Sequence, residues 1–136
     1  MYAELSWCGG MKFEAQTETG HKILMDSLPK YGGENAGPCP MELVLVAEAG
    51  CTAMDVIAIL KKMKQNVKDF KIKIEAERKI EHPRVFTDIK LIYILKGENL
   101  DPQKVKKAVE LSQEKYCSVG AMLKKTAKID YEIKIE

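Results

Sequence analysis

Arginine is nearly absent from this sequence: Arg78 and Arg84 stand against twenty lysines in 136 residues. Proteins that grip phosphate or carboxylate by planar, bidentate pairing use arginine in number, so this surface is not built for that task. Lysine does not make up the difference, because 22 basic residues face 20 acidic ones and the net charge is only +2. That balance excludes a dedicated binder of nucleic acid or of an anionic membrane. Histidine is scarce as well, with His21 and His82 alone, and the four cysteines, Cys8, Cys39, Cys51 and Cys117, include no Cys-x-x-Cys pair. Such spacing fits neither a disulfide-stapled secreted scaffold nor the close ligand pairs of a structural zinc site, so neither metal nor cofactor is expected. No apolar leader with a small-residue cleavage site opens the chain, which leads us to expect a cytoplasmic protein.

Apolar residues make up 46% of the chain and charged residues 31%. That is globular composition, and the length suits one domain spanning residues 1–136. Tyr2, Leu5 and Trp7 precede the turn pair Gly9-Gly10. Met11, Phe13 and Ala15 then alternate with polar neighbours, and a third short strand covers His21 to Met25. Residues 29–40 hold three prolines and three glycines and read as a loop. Further on, Phe70, Ile72, Ile74 and Ala76 alternate, as do Val85 to Leu95, with His82-Pro83 at the turn of a hairpin. Asp101-Pro102 gives an N-cap and first-turn proline, opening a helix that carries Val105, Val109 and Ser112. A short helix after Ser118 and a last strand through Ile129, Tyr131, Ile133 and Ile135 complete the order βββ-α-ββ-αα-β, an α+β fold.

The dominant element lies between. From Met41 to about Lys64 there is no proline, and Leu43 to Leu60 is almost wholly apolar. The length would cross a bilayer, but Glu48 and Asp55 lie inside it, and an acidic residue at mid-bilayer costs about 2.5–3.5 kcal/mol. We therefore expect a helix buried on nearly all sides, in the core or at a subunit interface, and no membrane. On a helical wheel Glu48, Cys51, Thr52 and Asp55 fall at i, i+3, i+4 and i+7, on one face. Two carboxylates on so apolar a helix demand partners or water. Gly50 lowers helix stability by about 1 kcal/mol relative to alanine, which suggests close approach of another backbone.

Cys51, on this polar stripe, is the first candidate nucleophile. A free thiol is mostly protonated at neutral pH and needs a neighbouring cation to react well. Glu48 works against that, and Arg78 or Arg84 is the cation on offer. Cys117 is the second candidate, placed between two helices near the start of the second, where backbone N–H groups favour a thiolate. Cys8 reads as a small buried hydrophobe and Cys39 as a loop residue. Two lone thiols invite sulfenic acid formation at one and disulfide closure by the other.

Three segments go further: Gly37-Pro38-Cys39-Pro40-Met41-Glu42-Leu43, Ala49-Gly50-Cys51-Thr52-Ala53-Met54-Asp55-Val56 and Glu114-Lys115-Tyr116-Cys117-Ser118-Val119. The sequence resembles the OsmC/Ohr family over essentially its whole length, most closely the YhfA-like branch. The resemblance implies an intertwined homodimer with central helices and a reactive pair near the subunit boundary. It assigns Cys51 as peroxidatic and Cys117 as resolving, with a hydroperoxide as substrate and a dithiol as reductant. Active members carry Asn-Pro-Glu before the helix, the glutamate ten residues ahead of the first cysteine and orienting an N-terminal arginine. Here Met41 holds that position, Glu42 follows it, and no arginine precedes Arg78. Glu48 is the replacement acid the sequence offers, with Arg78 or Arg84 as cation. Three functions follow: a thiol peroxidase of oxidative-stress defence, a non-catalytic dimeric module binding a small apolar or thiol-reactive ligand, or another thiol-dependent enzyme.

Overall fold

The computed structural model describes residues 1–136, which form two compact units, Met1–Val46 and Ala47–Glu136. In the first, strands β1 (Ala3–Trp7), β2 (Phe13–Thr17) and β3 (Lys22–Met25) make an antiparallel meander in that order. The β1–β2 turn uses Gly9 and Gly10 at φ of 88° and 56°, a left-handed backbone that glycine adopts without steric cost. The proline- and glycine-rich segment after β3 is organised by Asp26. Its buried carboxylate accepts N–H groups from Ser27 at 2.7 Å, Ala36 at 3.0 Å and Glu34 at 3.1 Å. The bonds from Ala36, Ser27 and Glu34 hold its carboxyl below the usual range.

Helix α1 (Pro40–Lys62) runs from the first unit into the second. It starts at Cys39, whose carbonyl accepts the Leu43 N–H at 3.2 Å while the Glu42 carboxylate reaches back to the Cys39 N–H at 3.1 Å. This is half of a capping box. It also explains why Glu42 is not free to act as a site acid.

The second unit continues with the hairpin β4 (Asn66–Arg78) and β5 (Phe86–Glu98), then α2 (Pro102–Leu111), α3 (Ser118–Leu123) and β6 (Lys128–Ile135). The observed α+β order is the one the sequence patterns indicate. What those patterns do not reveal is the pairing of β6, which lies parallel to β5 and puts β5 in the middle of the order β4-β5-β6. A parallel neighbour requires a long crossover, and α2 with α3 supplies it. On β5 Ile89, Leu91, Tyr93 and Leu95 point to one side, and of the residues between them Lys90 is exposed, Ile92 half-buried and Ile94 also buried. Leu91, Tyr93 and Leu95 pack with Val56 and Leu60 of α1 and Val105, Ala108 and Val109 of α2. The Tyr93 ring is clamped from both neighbouring strands, stacked on Phe70 at 6.4 Å and edge-on to Tyr131 at 6.0 Å.

One expectation is met only in part by a single chain, and one is corrected. Within one chain α1 is not buried on nearly all sides: it buries a single line, Glu48, Thr52, Val56 and Leu60, while Val46 is 62% and Met54 73% exposed. A Cβ at Gly50 would meet nothing within 4 Å, so no backbone of the same chain approaches it. The apolar run marks one inward line and an outer surface that a single chain leaves uncovered. Cys8 likewise is exposed rather than buried, as is the whole of β1, including Leu5 and Trp7.

Candidate functional site

The inward line of α1 is half polar, and the second unit answers it. Thr52 lies one helical turn from Glu48 and, like Tyr93 and Ser112, is wholly buried. Its hydroxyl is 2.7 Å from the Tyr93 hydroxyl and 2.7 Å from the Ser112 hydroxyl. Ser112 in turn donates to the Asp55 carboxylate at 2.9 Å, and the Gln113 amide donates to Tyr93 at 2.7 Å. A hydroxyl carries one proton, and a carboxylate only accepts, so these distances set a direction. Gln113 donates to Tyr93, Tyr93 to Thr52, Thr52 to Ser112, and Ser112 to Asp55. Each buried hydroxyl thereby both gives and receives. Burial is also the main reason the Tyr93 phenol is pushed up to about 12, so it stays a donor at neutral pH.

Helix α2 contributes by simple periodicity. Val105, Ala108, Val109, Ser112 and Gln113 are all buried and fall at 0, 3, 4, 7 and 8, so one inward face turns from apolar to polar at its end. The chain then makes one π turn over Ser112–Tyr116, closed by the Cys117 N–H bonding to the Ser112 carbonyl at 2.8 Å. Single π turns recur at functional positions. This one fixes Cys117 to the same residue that holds Asp55.

As a result two cysteines 66 residues apart meet. The Cys51 and Cys117 sulfurs and an Asp55 carboxylate oxygen all lie within 4.8 Å of one another. Both thiols are free. They are not equivalent: Cys51 is half-buried and Cys117 is buried. The Cys117 sulfur accepts the Gly120 N–H at 3.3 Å, which favours a thiolate, but burial outweighs it, and Cys51 and Glu48 add to the rise, so the thiol is pushed up to about 12. Cys117 is thus held as a neutral S–H, donating to the Glu48 carboxylate at 3.5 Å.

Glu48 is wholly buried, and its Oε1 has no hydrogen-bond partner. Burial raises its carboxyl above 4.5; Cys117 and then Lys124 pull it back, and Asp55 raises it further. Lys124, whose ammonium donates to the Gln113 carbonyl, is therefore the cation that acts on this acid, and residue-type scarcity had pointed to arginine instead. Arg78 and Arg84 sit at the far ends of the β4–β5 connection. Arg78 donates to the Arg84 carbonyl at 2.9 Å, Arg84 to His82 at 3.4 Å, and neither bonds to Glu48, Cys51 or Cys117. Cys39 stands apart at the helix N-cap. A groove lined by Asp55, Ala58, Ile59, Lys62, Leu111 and Tyr116 adjoins the thiol pair through Asp55.

Room for Glu48 comes from Gly120. A Cβ there would lie 3.0 and 3.2 Å from the Glu48 carboxylate oxygens and 3.3 Å from the Cys117 sulfur. Overpacking a closed site costs about 1–3 kcal/mol. Gly120→Ala is therefore expected to lower the thermal midpoint, and Glu48→Ala in the same chain to restore part of it. If Gly120→Ala destabilises equally with and without Glu48, the two are not in steric contact.

The raised Glu48 carboxyl also fixes a pH dependence. Folding favours its protonated form, so its contribution is most favourable below the unfolded value of 4.5 and is lost as pH rises through the raised folded value. Glu48→Gln should raise the thermal midpoint relative to the parent at pH 8, and the gain should shrink toward pH 4. A gain that grows on acidification would contradict the buried, raised carboxyl.

Comparison with known proteins agrees with the fold. Over 135 residues the chain is 44% identical to Protein YhfA of Escherichia coli K12, covering 99% of this chain and 98% of the relative. A hypothetical protein from Aquifex aeolicus VF5 superposes with a TM-score of 0.83 at 38% identity, over 99% of this chain and 96% of that one. The organic hydroperoxide resistance protein OhrB of Bacillus subtilis shares the fold at a TM-score of 0.65 and 17% identity, with 98% of each chain covered. The family model described as OsmC-like protein matches residues 32–132, and the chain belongs to that family.

Proposed function

We propose that the protein is a cysteine-based hydroperoxide reductase, and the observation that carries the reading is the pair of free sulfurs within 4.8 Å in one partly enclosed site. Cys51 is the attacking thiol, because it is the more accessible of the two and Cys117 is held protonated with its thiol near 12. The Cys51 thiolate attacks the terminal peroxide oxygen, the O–O bond breaks, and the alcohol or water leaves with a proton. Cys51 is then a sulfenic acid. The Cys117 sulfur attacks it, the S–O bond breaks, water leaves, and a disulfide remains. A dithiol supplies the two electrons and two protons that restore both thiols. The groove beside Asp55, walled by Ala58, Ile59 and Leu111, suits an organic substituent, and the name of the OhrB relative points to the same substrate class.

This reading includes a homodimer in a reducing, cytoplasmic setting. Val46, Gly50 and Met54 recur every four residues along one side of α1. Val46 and Met54 are exposed, and Gly50 between them presents no side chain to a neighbour. A second α1 packing there would satisfy both the apolar surface and the expected close approach at Gly50. Glu48 keeps a role beside Cys117. Arg78 and Arg84 would act on thiols only from the hairpin of a second copy.

A second reading, a dimeric module that binds a small apolar or thiol-reactive ligand without turnover, is favoured by Met41 at the position of the family's activating glutamate. One experiment separates the two. Reduced protein is treated with cumene hydroperoxide or hydrogen peroxide and digested for mass spectrometry. The peroxidase reading expects a Cys51–Cys117 disulfide, peroxide loss in the presence of dithiol, and abolition of both by Cys51→Ser. In Cys117→Ser, Cys51 should accumulate as a sulfenic acid that dimedone traps. No disulfide and no peroxide loss would leave the binding module.

A further inference from the structure

The thiol pair is flanked by more carboxylate than a redox pair requires. Asp55 has an oxygen within 4.8 Å of both sulfurs and is held in place by the Ser112 hydroxyl at 2.9 Å. Glu48 lies 3.5 Å from the Cys117 sulfur, wholly buried, with Oε1 unpartnered. A buried oxygen with nothing to accept from costs free energy unless something fills the role. The two sulfurs and the Asp55 oxygen are three of the four donors a tetrahedral site needs, and Glu48 lies beside one of them.

We propose that Cys51, Cys117 and Asp55 form a binding site for a thiophilic divalent cation of the zinc class, with Glu48 turning from its place beside Cys117 to supply the fourth donor. Thiolates select zinc-like ions over magnesium or calcium, which prefer oxygen donors alone. Zinc–sulfur bonds of about 2.3 Å place two sulfurs roughly 3.8 Å apart, and the observed sulfurs already lie within 4.8 Å of each other. Binding releases the two thiol protons to solvent and leaves both sulfurs as metal thiolates. Ser112 then has the part of a supporting residue, since a group that fixes a ligating carboxylate typically changes metal affinity about 10- to 100-fold when removed. A bound ion occupies both sulfurs and so opposes their oxidation to a disulfide. Close pairs in sequence are the usual sign of such a site, and here the fold brings together what the sequence separates by 66 residues.

The site shares its thiols with the peroxidase reading but does not need them to turn over. Cobalt(II) is the probe, titrated without peroxide into the reduced, metal-free full chain. The expected result is one equivalent per chain, with intense visible bands of tetrahedral geometry and a thiolate-to-cobalt charge-transfer band, all bleached by zinc(II). Cys51→Ser and Cys117→Ser should each abolish that spectrum, whereas the Cys8→Ser, Cys39→Ser double variant should keep it. Ser112→Ala should weaken binding about tenfold. Absence of binding, a weak octahedral spectrum, or a spectrum that depends on Cys8 or Cys39 would overturn the proposal. Peroxide consumption by the metal-free protein is measured separately, so either reading can fail alone.

Discussion

The second unit is organised around a polar problem inside an apolar core. Thr52, Tyr93 and Ser112 are wholly buried and come from α1, β5 and the end of α2, so each would leave a hydroxyl unsatisfied if the other elements moved. A buried polar group without a partner costs about 1–3 kcal/mol, against a net gain of about 0.5–1.5 kcal/mol for each bond made. That asymmetry makes the chain from Gln113 through Tyr93, Thr52 and Ser112 to Asp55 an alignment constraint more than a source of stability. The helix, the central strand and the crossover must all be in register to complete it. Once they are, Asp55 is fixed beside Cys51, and Ser112 fixes both Asp55 and the backbone of Cys117.

The electrostatics of the thiols follow from the same enclosure. Burial pushes Cys117 upward and leaves Cys51 as the more accessible sulfur, and no arginine hydrogen-bonds to either. Glu48 is the group that this enclosure leaves least satisfied. Gly120 makes space for it, Lys124 offsets its charge, and one oxygen stays without a partner. The proposed peroxide chemistry would use the two sulfurs, and the proposed cation site would add the neighbouring carboxylates.

Much of this was legible in the sequence, for identifiable reasons. Alternation in residues 70–76 and 85–95 marks strands, and the stripe of Glu48, Cys51, Thr52 and Asp55 marks a polar face, because periodicity encodes which residues share a side. It does not encode which sides meet. The Thr52–Tyr93 and Thr52–Ser112 bonds span 41 and 60 residues, and no local pattern announces them. Ser112 was visible as the last inward position of α2, yet its role depends on a π turn that no residue there signals. A single chain meets the burial expected for α1 only in part for a related reason: apolar content reports how much surface seeks cover and not whether the same chain covers it. Arginine was the obvious cation by chemistry, but Arg78 and Arg84 bond within their own connection, and Lys124 is set near Glu48 by the short α3 helix.

A double-mutant cycle tests most directly whether the buried hydroxyls act as one unit. Tyr93→Phe and Ser112→Ala remove hydroxyls that do not bond each other but share Thr52. Unfolding free energies of the parent, both single variants and the double variant are to be compared by denaturant titration. A continuous chain predicts a coupling of about 0.5 kcal/mol or more, in the range found for residues of one network. Additive losses would contradict it and reduce the chain to separate pairs.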